Sequence, residues 1–262
     1  MSYNDYFSFA TGQASDVGLR REVNEDNLLA RPDYGLWVVA DGMGGHAAGD
    51  VASATIVEAL NLTGVPASSE DLRARVMQRL EGANRDILDH AARLDRGMIG
   101  ATVVALLVYG PHFACIWSGD SRAYLLREGQ IVQQSRDHTE VAALLDAGTI
   151  TAEEARTWPR KNVITRAIGV SDRMQSDIVV GDVHPGDTFI LCSDGLTEHL
   201  SDDDIAGFAA DLPPQQACDA MIRETLARGA HDNVTVIVMQ CNARGAGDSG
   251  RMNGIKTVRD RL

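Results

Sequence analysis

The sequence predicts an α+β sandwich in which pairs of helices pack on antiparallel sheets. Two observations carry that prediction. Helical segments come two at a time, whereas a doubly wound parallel sheet would alternate each helix with a strand. The strand-like segments are short and joined by tight Gly, Pro and Asp turns, as antiparallel neighbours are. The chain has 262 residues, 44% of them hydrophobic, which is material for a sizeable core.

Residues 6–15, 27–31 and 35–40 read as short strands. Residues 50–62 read as a helix with Val51, Ala54, Val57 and Leu60 on one face. After a Gly/Pro/Ser break, 69–94 reads as a longer helix, with Leu72, Val76, Leu80 and Ile87 at helical spacing and Ser69 or Asp71 as its cap. Residues 101–109, 112–118, 121–127 and 130–134 read as strands of an antiparallel meander. A polar helical stretch at 139–160 follows, then strands at 176–183 and 187–192 around a His184-Pro185-Gly186-Asp187 turn. Helices at 201–211 and 214–228 precede a last strand at 233–241, and 242–262 reads as a flexible polar tail.

Net charge is −13, with no basic face for nucleic acid. Cys115, Cys192, Cys218 and Cys241 lie far apart without a CxxC spacing. They read as buried reduced thiols, against a zinc site or a disulfide framework, and suit the cytoplasm. The first residues lack the basic and apolar regions of a signal peptide, and no apolar stretch is long enough to span a membrane.

Chemistry concentrates where strands end on aspartate. The apolar run Trp37-Val38-Val39-Ala40 stops at Asp41, before Gly42-Met43-Gly44-Gly45-His46. Gly119-Asp120-Ser121-Arg122, Ser193-Asp194-Gly195-Leu196 and Asp232-Asn233 stand at other strand ends, and Asn24-Glu25-Asp26 precedes a strand near the N-terminus. Each alone is a turn by default. Together, at one sheet edge, they would converge, and converging carboxylates repel unless a cation sits between them. Oxygen ligands without cysteine select hard ions such as magnesium or manganese. A rival reading takes GMGGHA (42–47) as a dinucleotide fingerprint. The charge of Asp41 beside a pyrophosphate, and a helix followed by a helix, argue against it.

In that order the motifs RxxNED (21–26), DGMGGH (41–46), GDSR (119–122), SDGL (193–196) and the final DN (232–233) resemble the bacterial branch of the metal-dependent protein serine/threonine phosphatases, the PPM or type 2C family, over residues 8 to about 241. The resemblance implies a four-layer α-β-β-α sandwich of two antiparallel sheets flanked by helix pairs. Residues 1–241 would form one domain, with a flap at about 137–169 beside the site. It implies two to three Mn2+ or Mg2+ ions. Asp41 would bridge two of them and the Gly42 carbonyl would bind one. Asp26, Asp194 and Asp232 would complete their shells, Asp120 with Asp194 would hold a third, and Glu25 and Asn233 would support the ligands from behind. Arg21 would bind the substrate phosphate, since a guanidinium fork matches a phosphate dianion. His46 would either protonate the departing serine or threonine oxygen or belong to the helix start. The ions would neutralise the phosphoryl oxygens and activate a bridging water for direct attack. The implied partners are a phosphorylated protein substrate and an opposing Ser/Thr kinase, with no nucleic acid, no membrane and a monomeric state. Two departures from the family pattern are Trp158, where many relatives carry histidine before the proline, and the turn at 97–102.

Overall fold

The computed structural model describes residues 7–44, 48–94, 98–160 and 162–243. The expectations for His46, for Gly97 and for the tail from 244 onward lie outside the described residues. The chain opens with β1 (Phe7–Asp16), β2 (Asp26–Arg31) and β3 (Leu36–Met43), then α1 (Gly49–Asn61) and α2 (Ser69–Leu94). The middle contains β4 (Gly100–Ala101), β5 (Val103–Tyr109), β6 (His112–Ser118), β7 (Arg122–Arg127) and β8 (Gln130–Gln133), followed by α3 (Glu140–Asp146) and α4 (Ala152–Arg156). The last third runs β9 (Asp177–Asp182), β10 (Thr188–Cys192), α5 (Asp194–Thr197), α6 (Asp202–Asp211), α7 (Pro214–Ala227) and β11 (Val234–Ala243).

One sheet has the order β1-β11-β10-β7-β8 and the other β2-β3-β5-β6-β9, with β4 paired to β3. Neighbouring strands run antiparallel throughout. Alternation along each strand makes three apolar layers. Val38 and Ala40 of β3 face Ile56, Leu60, Leu80 and Ile87 of α1 and α2. Trp37 and Val39 face Phe189, Leu191, Ile237 and Met239 across the gap between the sheets. Ile190, Val236 and Val238 on the far side meet Ile205, Met221 and Leu196 of the second helix group. Three apolar layers separate four layers of structure, so the expected α-β-β-α sandwich is what forms.

The structure corrects several local expectations. The strands at 101–134 are not one meander: β5 and β6 pair in one sheet, while β7 and β8 belong to the other, and Gly119–Ser121 crosses between them. The strand that was expected to end before Asp41 continues to Met43, because Gly42 and Met43 pair with Ala101 and Gly100. On α1 the buried face is Ala52, Ile56 and Leu60, and Val51 is exposed. The rotation follows Ser53, whose hydroxyl donates to the Glu25 carbonyl at 2.5 Å. The cap of α2 is Ser68, whose hydroxyl accepts from Asp71 N–H, while Asp71 accepts in turn from Ala67 N–H. The polar stretch 139–160 folds as two short helices, each started by a threonine side chain. β11 runs to Ala243, into the expected tail, because Phe7 and Ser8 of β1 supply partners there. The four cysteines are buried and free, and burial pushes each thiol up to about 12. Among the described residues no helix is long and apolar enough to cross a membrane.

Candidate metal centre

At one end of the sandwich the inward positions turn from apolar to polar. β3 places Trp37 and Val39 in the central layer, and two residues on comes Asp41. Opposite it in register is Asp26 of β2. On the facing sheet, Leu191 is followed by Ser193 and Ile237 is preceded by Thr235, both fully buried. Period-two alternation thus delivers two carboxylates and two hydroxyls to one end of the sandwich.

The hydroxyls organise Asp26. Ser193 Oγ donates to Asp26 Oδ2 at 2.8 Å and accepts from Thr235 N–H at 3.0 Å. Thr235 Oγ1 lies 2.7 Å from Ser15 Oγ, which accepts from Asn24 Nδ2, and Asn24 Oδ1 accepts from Asp26 N–H. Asp194 begins α5, directly after Ser193. Asp120 stands on the crossing between the sheets, 7% exposed.

These carboxylates feel one another. Burial drives Asp41 well above the usual carboxylate range, and the charges of Asp26, Asp194, Asp120 and Asp232 push it further. Burial, with the charges of Asp120, Glu198, Asp232 and Asp26, pushes Asp194 up to about 8. Asp26 and Asp120 are each pushed up to about 6, again chiefly by burial. Asp194 is therefore largely ionised at neutral pH only beside compensating positive charge.

The donor set suits a divalent cation. It is all oxygen, and Asp120 Oδ1 is buried without a partner. Among the described residues no three His, Cys, Asp or Glu side chains are already drawn together to hold an ion.

Backbone contacts place the rest. Gly42 N–H donates to the Glu25 carbonyl at 3.1 Å. A Cβ on Gly42 would stand 2.1 Å from the Gly49 carbonyl oxygen, so only glycine lets β3 approach α1 this closely. Glu25 Oε1 accepts from Gly49 N–H at 3.2 Å, an anion at the first turn of α1. Asn233, 4% exposed, ties the Arg21-bearing loop down. Its Oδ1 accepts from Glu25 N–H and its Nδ2 donates to the Val17 and Val23 carbonyls. Arg21 is half-exposed and its Nη2 donates to Asp232 Oδ2 at 2.7 Å. The guanidinium expected at a phosphate is therefore also the clamp on Asp232.

The structure sets Asp26 and Asp41 in register and Asp120 and Asp194 on one cavity, and the charges of Asp26, Asp120, Asp194 and Asp232 all bear on Asp41, with Gly42, Glu25, Asn233 and Arg21 around them. Sequence reasoning missed Ser15, Ser193 and Thr235. Their signal was a polar residue at an inward position of an otherwise apolar strand, as Thr235 is in Val234-Thr235-Val236-Ile237-Val238. It also missed His138, for which no pattern pointed. That ring is buried, stacks on Trp117 at 6.0 Å, and is held by burial below the usual histidine value. Trp158 follows α4, and its indole Nε1 is buried without a partner. A cavity of about 280 Å3 lies between this segment and α5, lined by Asp120, Asp137, Asn162, Asp194 and Glu198. Asn162 Nδ2 donates across it to Glu198 Oε1 at 2.9 Å.

A sandwich with a carboxylate cluster at one end, built for divalent cations, defines a class of metal-dependent hydrolase folds, and the comparisons say which. Residues 20–235 match the family described as protein phosphatase 2C, and the chain belongs to that family. It is 37% identical over 230 residues to the serine/threonine protein phosphatase PstP of Mycobacterium tuberculosis, a match that covers 86% of this chain and 43% of that protein. It therefore spans less than half the length of that relative. It is 34% identical over 239 residues to the serine/threonine phosphatase stp of Listeria welshimeri, covering 87% of this chain and 94% of that one. The catalytic domain of PstP, solved in complex with two manganese ions, superposes with a TM-score of 0.79 at 33% identity, covering 90% of this chain and 99% of that chain.

Proposed function

We propose that this chain hydrolyses phosphoserine and phosphothreonine on proteins by direct attack of water, without a covalent enzyme intermediate. The observation that carries the reading is the gathering of carboxylates at one end of the sandwich, Asp26 and Asp41 in register and Asp120 and Asp194 on one cavity, in a chain of a phosphatase family. Two or three manganese or magnesium ions, when bound, supply charge neutralisation at the phosphoryl oxygens and an acidified water.

The residues divide that task. Asp41, the Gly42 carbonyl, Asp26, Asp194 and Asp232 hold two ions, and Asp120 with Asp194 holds a third. Glu25 and Asn233 fix the backbone that presents them. Arg21 holds Asp232 with one nitrogen and offers its remaining donors to the phosphate dianion. His46 donates the proton that the leaving serine or threonine oxygen takes up. No cysteine serves as nucleophile, since all four thiols are buried and held far above neutral pKa.

Residues 137–169 act as a flap over the site, 1–241 as a single phosphatase domain and 242–262 as its tail. The buried free thiols fit a reducing compartment. The reading is of a cytoplasmic monomer opposing a Ser/Thr kinase.

The test is release of phosphate from a phosphothreonine peptide by the purified chain. Turnover with manganese, abolished by EDTA and lowered at least about a hundredfold in Asp194→Ala, is the expected result. A folded chain without turnover in manganese or magnesium would move the assignment to a phosphoprotein-binding module.

A further inference from the structure

The loop that carries Asp120 is held from two sides. Behind it is Thr102. Gly119 has φ +115° and a Cβ there would lie 2.5 Å from Thr102 Cβ, so only glycine fits against Thr102, whose Oγ1 lies 2.7 Å from Ser121 Oγ. In front of it is His138. Gly119 N–H donates to His138 Nδ1 at 3.2 Å, and His138 N–H donates back to the Gly119 carbonyl at 2.9 Å. Residues 119 and 138 thus grip one another through backbone and ring together.

That grip decides the tautomer. Nδ1 accepts from Gly119, so the ring proton is on Nε2 and donates to Asp177 Oδ2 at 3.2 Å. Arg166 Nη1 also lies 3.2 Å from Nε2. Both are donors, and Asp177 joins them by accepting from Arg166 at 2.9 Å. Trp117, anchored by its Nε1 to the Arg136 carbonyl, covers one face of the ring at 6.0 Å and 18°.

The same histidine begins the segment over the cavity. Its carbonyl accepts from Thr165 N–H at 2.7 Å, and its neighbour Thr139 bridges to Ile164. Both roots of the 139–164 excursion therefore meet at His138. One residue connects the Asp120 loop and the edge strand β9 through its ring and the roots of that excursion through its backbone.

We propose that His138 is a positioning residue that fixes the Asp120 carboxylate, so that cation affinity at Asp120 depends on the imidazole through Gly119. The inference rests on the metal-phosphatase reading above. It adds that a side chain touching neither ion nor substrate sets the site with the fewest carboxylates, Asp120 and Asp194, and hence the weakest.

The test is calorimetric titration of the whole chain with manganese, with thermal unfolding in EDTA measured alongside. His138→Leu keeps the volume and loses the acceptor for Gly119 N–H. It should weaken the weakest manganese site about tenfold. His138→Asn puts Oδ1 near the place of Nδ1, keeps that acceptor and should stay within about 1.5-fold of wild type. Equal weakening in Asn and Leu variants would mean that ring packing alone matters and would overturn the proposal. So would a folded Leu variant that binds manganese as wild type does. If His138→Leu does not fold, Asp177→Ala decides, because it removes the acceptor that orients Nε2. A weakening of about threefold supports the role and an unchanged titration overturns it. A wild-type chain that takes up no manganese would refute the metal centre itself and this role with it, an outcome distinct from the variant results.

Discussion

Asn233→Ala should be among the costliest polar truncations in the molecule. The side chain is 4% exposed and makes three hydrogen bonds to backbone groups of residues 17, 23 and 25. Each contributes about 1 kcal/mol net, and truncation strands three backbone partners at once, so the loss is about 3 kcal/mol. At about 2–4 °C per kcal/mol for a domain of this size, the midpoint should fall by roughly 6–12 °C. The assay is thermal unfolding in EDTA, followed by circular dichroism. Gln215→Ala is the control: it also bonds distant backbone twice, to Gln13, but from an exposed position, and should cost under about 1 kcal/mol. Asn233→Asp keeps the acceptor for Glu25 N–H, loses both donors and adds a charge beside Asp232, so it should not rescue. A fall of less than about 2 °C, or one equal to that of Gln215→Ala, would refute the argument that Asn233 holds the Arg21 loop.

Other perturbations have equally definite outcomes. Without metal, Asp26, Asp120 and Asp194 have folded pKa values above their unfolded ones, so their stabilising contribution is full below about pH 4. It is lost as pH rises through about 6 for Asp26 and Asp120 and about 8 for Asp194. The rise in midpoint on adding manganese should therefore grow from pH 5.5 to 8.5, and a constant rise in thermal shift assays would contradict the assignment. Gly42→Ala forces a Cβ against the Gly49 backbone; the expected result is a loss of more than about 3 kcal/mol in urea unfolding. Native protein should leave a thiol reagent unconsumed until denatured, since all four thiols are buried; rapid labelling of one equivalent would count against the packing described.

The architecture was legible because it rests on counting and alternation. Paired helices and short strands predicted the layers, and inward apolar residues on every strand produced them. The crossing at Gly119–Ser121 was not legible, since a turn that changes sheet looks in sequence like a turn that returns. The face of α1 was misjudged because apolar spacing favoured Val51, while the deciding contact was a hydroxyl to the Glu25 carbonyl. At the site, aspartates at strand ends announced themselves, and Asp26 and Asp41 do meet in register. What holds them was only half legible: Thr235 stands out as a polar residue inside an apolar strand, but local pattern does not name its partner Ser15, 220 residues away in the chain, and nothing marked His138.

The central claim is that the carboxylate end of the sandwich holds the catalytic ions. Its most direct test is anomalous diffraction at the manganese edge from crystals grown with manganese. The account predicts peaks against Asp41, flanked by Asp26, Asp194 and Asp232, with the weakest beside Asp120. Peaks elsewhere, or none in this cluster at saturating manganese, would contradict it.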